Sequence, residues 1–386
     1  MLHNLSQLQL GILGGGQLGR MFIQEALNYN ITTHILDADA NAPASVIASS
    51  HTLGNLNDYT TVYNFGKTVN VLTIEIEHVN VQALEALEKE GITVYPQPAA
   101  LKTIQDKGLQ KLFYKTNKLP TADFYLIDKK EDLYNYQHLF PMMLKLRKGG
   151  YDGKGVMLMR TAADIANAFD GQCVLEKLID FETETAVIVA RNANGEVSTF
   201  PMVDMDFNPD ANLVEFLYSP SNYSSLEEKA KALAVQIITD LKMVGILAVE
   251  YFVTKTGELL INEIAPRPHN SGHHTIEACY TSQYEQHLRA ILNLPLGNTN
   301  LIQPAVMVNV LGARNYKGNT IVEGINELLK LKGVYLHLYG KKTCSPMRKM
   351  GHITVINEDI AVAKQLAKQA SKLLVVRGEE QLRITN

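Results

Sequence analysis

Residues 246–273 read ILAVEYFVTKTGELLINEIAPRPHNSGH, two apolar strand-like runs around Thr256-Gly257 followed by a burst of polar side chains. If Thr256-Gly257 is a two-residue hairpin loop, Glu250 and Glu263 lie equally far from it and face each other across the pair. Facing carboxylates repel and destabilise such a pair. A divalent cation between them removes the conflict, and all-oxygen donors beside phosphate favour Mg2+. A looser turn would shift the register and leave one glutamate in solvent. Strand alternation turns Asn262 to the face opposite Glu263. Beyond the second run, Arg267, His269, Asn270, Ser271 and His273 put five polar side chains into seven residues, a constellation suited to anion binding and proton transfer.

Upstream, residues 144–158 read LKLRKGGYDGKGVML. Lys145 sits in an apolar strand-like run, and Gly149, Gly150, Gly153 and Gly155 form a loop before the next strand. The spacing is not that of a P-loop. A glycine hairpin with a lysine on the preceding strand suits a flexible cover over a triphosphate, the ammonium groups neutralising its charge; the alternative is a mobile glycine turn.

A second glycine-rich stretch, GILGGGQLGRM at 11–21, carries Gly14, Gly16 and Gly19 in G-x-G-x-x-G spacing, and the run THILDAD brings Asp37. This is the dinucleotide fingerprint, acidic residue included. Its physics specifies only an anion met by bare backbone at a helix start. A dinucleotide, another phosphorylated ligand and a structural turn all stay open.

Around these motifs the composition is that of a globular chain of two or three domains: 386 residues, 46% hydrophobic, 20% charged, no Trp, formal charge −4. The charge argues against general nucleic-acid binding. Cys173, Cys279 and Cys344 are scattered and odd in number, which fits a reducing cytoplasm rather than a disulfide framework. The first ten residues lack the pattern of a secretion signal and no long apolar run occurs, so neither export nor a membrane span is expected.

Strand-like runs at 8–13, 33–39, 71–79 and 92–96 alternate with helix-like ones at 17–30 and 80–91, predicting a parallel sheet with crossover helices over residues 1–100. A second unit, 101–295, opens with a helical stretch up to Lys118. It continues through the glycine hairpin, an antiparallel pair turning at Asn194-Gly195, and a helix begun by Ser224 or Ser225 with a glutamate three residues on and ended by Gly245. Residues 296–386 make a smaller third unit with short strands and one amphipathic helix near 358–374.

With the glycine hairpin and paired glutamates in place, the chain resembles the ATP-grasp superfamily and, within it, the N5-carboxyaminoimidazole ribonucleotide synthetases of purine biosynthesis. The likeness runs through GILGGGQLGRM, TIEIEHV, KLPTADF, LKLRKGGYDGKGV, VLEKLIDFETE, LLINEIAPRPHNSGHHT, QYEQHLRAI and RKMGHI. It implies an α/β and α+β architecture: an ATP-grasp fold with an N-terminal Rossmann-like (pre-ATP-grasp) parallel-sheet domain and a small C-terminal domain. It further implies that Lys107 and Lys145 contact ATP phosphates and that Gly150, Tyr151, Asp152, Gly153, Lys154, Gly155 and Val156 fold over them. Glu176, Lys177, Leu178 and Ile179 would hold the adenine, Glu184 the ribose, and Glu250 and Glu263, with Asn262 less well placed, magnesium as two ions. Gln17, Leu18, Glu75, Arg267, His269, Asn270, Ser271, Gly272 and His273 fall where the family binds aminoimidazole ribonucleotide and bicarbonate, and Lys341 and Arg348 where it closes over the ribonucleotide phosphate. Phe207, Thr343, Ser345 and Ala265 stand where the pattern is lost. A cytoplasmic homodimer is the family expectation.

The expected chemistry is phosphorylation of bicarbonate by Mg-ATP and delivery of carboxyphosphate, or CO2 from it, to the exocyclic amine. Lys145 and Lys154 would stabilise the transferred phosphoryl group, His273 would move the proton, and Tyr151 and Asp152 would close out water. Three rivals are another ATP-grasp ligase such as a formate-dependent glycinamide ribonucleotide transformylase, an NAD-dependent oxidoreductase, and a non-catalytic nucleotide-binding regulator.

Overall fold

The computed structural model describes residues 5–150, 155–208 and 213–382. Its first unit is a parallel sheet of β1 (Gln9–Leu13), β2 (Thr32–Asp37), β3 (Ser50–Leu53), β4 (Val71–Ile74) and β5 (Thr93–Val94), ordered β3-β2-β1-β4-β5. Helices α1 (Gln17–Asn28), α2 (Tyr59–Gly66) and α3 (Val81–Lys89) supply crossovers, as the alternating pattern predicts. The pattern omits β3, an edge strand with three of its four residues exposed and therefore no apolar alternation to read. The omission of α2, capped by Asp58 accepting from the Thr61 amide, has the same origin in a short and weakly periodic segment.

The helical stretch expected up to Lys118 is two helices, α4 (Pro98–Ile104) and α5 (Lys107–Thr116). Asp106 separates them because its carboxylate accepts from the Gly108 and Leu109 amides at 2.9 and 3.2 Å and so starts a new helix. An antiparallel lobe follows: β6 (Phe124–Ile127), β7 (Met142–Leu146), β8 (Val156–Met159) and β9 (Cys173–Lys177), ordered β6-β9-β7-β8. The chain then crosses to a larger sheet through β10 (Phe181–Arg191), β11 (Val197–Thr199), β12 (Val203–Asn208), β13 (Leu213–Ser219), α6 (Ser224–Asp240), β14 (Gly245–Thr254) and β15 (Leu259–Ala265). Helix α6 buries Ala230, Ala234, Ile237 and Ile238 with Val187, Leu247, Val249 and Tyr251 of the sheet. Neither Ser224 nor Ser225 caps it; Tyr223 holds the cap position without a side-chain bond. Its end comes earlier than predicted, at Asp240, with Lys242 taking the left-handed turn (φ 50°), while Gly245 (φ 118°) opens β14.

After α7 (Thr275–Ala278) and α8 (Gln283–Ile291) the third unit extends the same large sheet. Strand β16 (Ala305–Leu311) pairs with β13 from Phe216–Val308 to Ser219–Ala305, and β20 (Lys349–Ile356) and β18 (Val334–Leu338) follow outward. A smaller sheet joins β17 (Tyr316–Glu323), β19 (Thr343–Cys344) and β21 (Val375–Gln381), with α9 (Ile325–Leu328) and α10 (Ile360–Leu373) covering the core between Val306, Val308, Ile353 and Val355. Helix α8 wedges Tyr284, Leu288 and Ile291 into the core of the first unit beside Leu10, Ile12, Phe22 and Ile23, and His287 bonds Thr73 at 3.0 Å. Burial of this kind is worth about 1.5–3 kcal/mol per large side chain. It fixes the polar segment preceding α8 against the first glycine loop. The three cysteines are buried and unpaired. Among the described residues no helix is long and apolar enough to cross a membrane.

Candidate active site

Glu250 and Glu263 do face each other across β14 and β15. The route differs from the expected two-residue loop. Thr254 and Glu258 close a three-residue loop, Lys255-Thr256-Gly257, with Gly257 at φ 78°. That loop alone would set Glu250 against Asn262; a β-bulge between Glu250 and Tyr251 in the pairing inserts one extra residue on β15 and restores Glu263. The bulge also overturns the alternation argument for Asn262. Two adjacent residues at such a bulge escape strict alternation, and Asn262 Oδ1 accepts from Lys145 Nζ at 3.2 Å while Glu263 Oε2 accepts from Lys107 Nζ at 2.6 Å.

Electrostatics follow from this pairing. Lys107, then burial working against it, holds the Glu263 carboxyl far below its ordinary range. Burial, the Glu263 charge and the Glu184 charge push Glu250 up, so Glu250 binds a proton that its partner refuses. Two carboxylates and the Asn262 amide oxygen next to Lys107 and Lys145 are a hard-oxygen donor set that fits Mg2+, and a cation there would take the place of the Glu250 proton. Among the described residues there is no cluster of three His, Cys, Asp or Glu able to hold a metal alone, so substrate oxygens or water would complete the shell.

Three lysines surround one buried glutamate. Lys107 and Lys111 lie one turn apart on α5, and Lys145 reaches across from β7. Glu176, 4% exposed, meets Lys145 through Oε2 at 3.0 Å and Lys111 through Oε1 at 3.4 Å. Burial opposes its ionisation, but Lys145 and Lys111 outweigh that and hold the carboxyl below its usual range. The side chain of Glu176 is thus committed to lysines, which leaves its backbone for the adenine contact expected of residues 176–179. Leu178, Phe181 and Val156 are exposed at 40%, 40% and 38% where the two lobes meet, an apolar setting suited to a planar base. Phe181 stacks on Phe252 at 4.6 Å. Glu184 is raised to about 7 by burial and by Glu263, against Lys145. Gly150, Gly155 and Val156 are placed at the roots of the glycine hairpin; Tyr151, Asp152, Gly153 and Lys154 lie outside the described residues. Phe207 packs with Ala186, Val203, Met205 and Val214, a core role.

Sequence reasoning missed a clamp at the hairpin root. Arg147 donates from Nε and Nη2 to Asp106 at 2.7 and 2.8 Å, and its carbonyl accepts the Lys107 amide at 2.8 Å. Gly108 is required there, since a Cβ would sit 2.5 Å from Arg147 Nε. The available signal was Asp-Lys-Gly, a cap followed by a small residue. Lys111 was likewise legible only as the residue four after Lys107.

The first glycine loop holds carboxylates instead of a dinucleotide. Gly16 and Gly19 amides donate to Glu75 at 3.0 and 3.1 Å, and the Gly15 amide donates to Asp37 at 2.7 Å. The acid that would select a ribose is folded into the loop, and the pyrophosphate position at the α1 start is filled by Glu75. Bare backbone is needed for this: a Cβ on Gly14 or Gly16 would lie 2.6 or 2.8 Å from Glu75 atoms. Burial raises the Glu75 pKa despite those amide bonds. Gln17 begins α1 beside this loop, while Leu18 is buried in the core of the first unit.

Two residues further on, Glu77 binds Arg267 at 2.8 Å; burial opposes its ionisation, but Arg267 outweighs it and keeps Glu77 below its usual range. His269 Nε2 lies 3.4 Å from Glu250 and its Nδ1 3.0 Å from Ser271 Oγ. Burial, Arg267 and Lys349 depress His269 to about 3. Gly272 is buried, where a Cβ would meet Ile188 at 2.4 Å and Gln283 at 2.5 Å. Asn270 is part-buried, and neither of its side-chain polar atoms is hydrogen-bonded among the described residues. His273 is 2% exposed, its Nδ1 3.0 Å from the Tyr284 hydroxyl and its ring 4.7 Å from that of His352. Burial first, then His269 and Lys349, keep it neutral. That setting packs His273 between Tyr284 and His352, while His269 is the imidazole beside the Glu250 carboxylate. From the third unit, Lys341 Nζ donates to the Lys349 carbonyl at 2.7 Å and Arg348 to the Thr343 carbonyl and hydroxyl at 2.6 and 2.9 Å. Thr343 therefore contributes by holding Arg348. Lys349, which sequence reasoning passed over, acts electrostatically on Glu250, His269 and His273.

The fold and this site define an ATP-grasp protein. Family models match accordingly: the ribonucleotide synthetase preATP-grasp domain over 8–105, the ATP-grasp domain over 112–284 and the phosphoribosylaminoimidazole carboxylase C-terminal domain over 305–366. The chain is 41% identical to the N5-carboxyaminoimidazole ribonucleotide synthetase of Thermotoga maritima, whose crystal structure superposes with a TM-score of 0.88 over 97% of this chain and 100% of that one. An Aspergillus clavatus N5-carboxyaminoimidazole synthase, solved with ADP and 5-aminoimidazole ribonucleotide, is 31% identical with a TM-score of 0.87, covering 96% of this chain and 99% of that one. The chloroplastic phosphoribosylaminoimidazole carboxylase of Vigna aconitifolia is 38% identical over 92% of this chain, which spans only 65% of that longer protein. The chain belongs to the N5-carboxyaminoimidazole ribonucleotide synthetase family.

Proposed function

We propose that the protein carboxylates 5-aminoimidazole ribonucleotide with bicarbonate at the expense of Mg-ATP, releasing N5-carboxyaminoimidazole ribonucleotide, ADP and phosphate in purine biosynthesis. The observation that carries this is the short segment after β4. Its Glu75 sits in the first glycine loop and its Glu77 holds Arg267, so a second ligand cradle is joined to the nucleotide cleft. A ligase that couples two substrates needs two sites within reach of one intermediate.

Magnesium, when bound by Glu250, Glu263 and Asn262, would neutralise charge between the nucleotide phosphates. Lys107 and Lys145 would position the β and γ phosphates, and the family likeness assigns Gly150, Tyr151, Asp152, Gly153, Lys154, Gly155 and Val156 to the cover over them. Arg267, pinned by Glu77, orients bicarbonate for attack on the γ phosphorus. His269, neutral and 3.4 Å from Glu250, is our choice to take the amine proton when carboxyphosphate or its CO2 is captured. Lys341 and Arg348 would take the ribonucleotide phosphate, beside Gln17, Leu18 and Glu75. The division into units at 100 and 295, the homodimer and a cytoplasmic location belong to the same reading, supported by the family likeness.

The test is ADP release with aminoimidazole ribonucleotide and bicarbonate each omitted in turn. The reading requires both. Full activity with formate and glycinamide ribonucleotide would replace it by the transformylase, and ADP release indifferent to either acceptor would overturn it.

A further inference from the structure

We propose that Lys111 is a positioning residue of the nucleotide site: it shares Glu176 with Lys145 and, through Thr121, anchors the bulge that carries Asn262 and Glu263. The inference rests on the nucleotide part of the function proposed above.

Lys111 is 3% exposed, and burial alone would favour its neutral form; its pKa is lowered to about 8, partly restored by Glu176. A lysine is rarely so deep unless its charge has a task or a partner. It has two partners on different elements. One is Glu176 Oε1 at the end of β9, whose other oxygen holds Lys145. The second is Thr121 Oγ1 at 2.6 Å. Thr121 in turn donates to the Ile261 carbonyl at 2.8 Å, one residue before Asn262, and the neighbouring Pro120 carbonyl accepts the Ile261 amide at 2.8 Å.

The consequence is a division of Glu176 between two cations. With Lys111 on Oε1, one oxygen remains for Lys145, whose ammonium keeps donors for Asn262 and for a phosphate. Without Lys111, Glu176 is left with a buried oxygen unmatched, and it either draws Lys145 further toward itself or takes up a proton and releases it. Both outcomes displace the phosphate-binding ammonium. Lys111 touches neither Glu250 nor Glu263, and its effect passes through Glu176 and the backbone at Ile261.

The experiment measures Mg-ADP binding by calorimetry at a temperature where each variant is folded, on the full chain. Lys111→Met, similar in length and uncharged, is expected to weaken Mg-ADP about tenfold or more. The double variant Lys111→Met, Glu176→Gln should bind no more weakly than Lys111→Met alone, because removing the second charge leaves nothing unmatched. A merely structural lysine would lower the melting temperature yet leave ADP affinity within twofold, or give effects that multiply, and either result overturns the proposal. Should Lys111→Met fail to fold, Thr121→Val breaks one of the two links and keeps the charge; roughly threefold weaker binding supports the proposal, unchanged binding overturns it. Aminoimidazole ribonucleotide is absent from this measurement. A wild type that binds Mg-ADP but carboxylates nothing would sink the proposed function and leave Lys111 standing.

Discussion

Replacing Asp106 by alanine should cost far more than the loss of a helix cap. Its carboxylate accepts four hydrogen bonds, from the Gly108 and Leu109 amides and from Arg147 Nε and Nη2. A cap alone is worth about 1 kcal/mol. The Arg147 side chain is 14% exposed and Asp106 5%, so the substitution also strands a buried guanidinium, which raises the expected loss to about 3–5 kcal/mol. Asp106→Asn keeps an oxygen for the amides and should lose roughly 2–3 kcal/mol. Because the chain has no Trp, urea unfolding followed by circular dichroism is the assay. Against burial, Arg147 and the two amides hold the Asp106 carboxyl below its ordinary value. A lowered carboxyl stabilises above its unfolded pKa, about 3.9, and loses that contribution as pH falls through the folded value. The gap between wild type and Asp106→Ala should therefore narrow in acid. A loss near 1 kcal/mol, or one independent of pH down to 3, would refute the reasoning. The same variant frees the Lys107 amide's seat on the Arg147 carbonyl, so the KM for ATP should rise with the instability.

Glu263→Gln removes the carboxylate that Lys107 holds and should cut ADP release on the order of 100-fold or more; retention of a tenth of wild-type turnover in a coupled assay argues against the paired-carboxylate site. Gly16→Ala forces a methyl to within 2.8 Å of the Glu75 carboxylate. It should raise the KM for aminoimidazole ribonucleotide roughly tenfold with the KM for ATP unchanged, and equal rises in both would detach the loop from the acceptor. His273, His274, His287 and His352 are buried and His269 half-buried, all with lowered pKa values. The unfolded chain binds protons that these rings refuse, so stability should fall as pH drops from about 6.5 toward 4, by up to about 1.4 kcal/mol per unit for each ring. Denaturation midpoints flat across that window would contradict their burial.

What was legible and what was not divide along physical lines. The glutamate pair could be placed because both residues lie on one hairpin, where register is local. The right pair emerged from a wrong turn, since a three-residue loop and a bulge offset each other. That same bulge hid the direction of Asn262, for periodicity of two carries no sign of an inserted residue. The dinucleotide fingerprint was complete through Asp37, yet its amides are satisfied by Asp37 and Glu75, the latter 59 positions from Gly16. Lys111–Glu176, Asp106–Arg147 and Arg267–Glu77 are all pairs between distant segments, and a single chain offers no spacing that announces them. His273 stood out as one of five polar residues within a stretch of seven. Only packing against His352, from the far end of the chain, separates it from His269.

The pairing of β13 with β16 makes the third unit inseparable from the one before it. A chain cut near 296 would leave β13 as a bare strand edge, with Leu217 and Val214 stripped of Met307. Such an edge is a template for another copy's strand, so the truncated protein should precipitate rather than survive as a smaller enzyme. The four-stranded lobe forms a sheet of its own, whereas the third unit continues the large sheet as a single stiff floor.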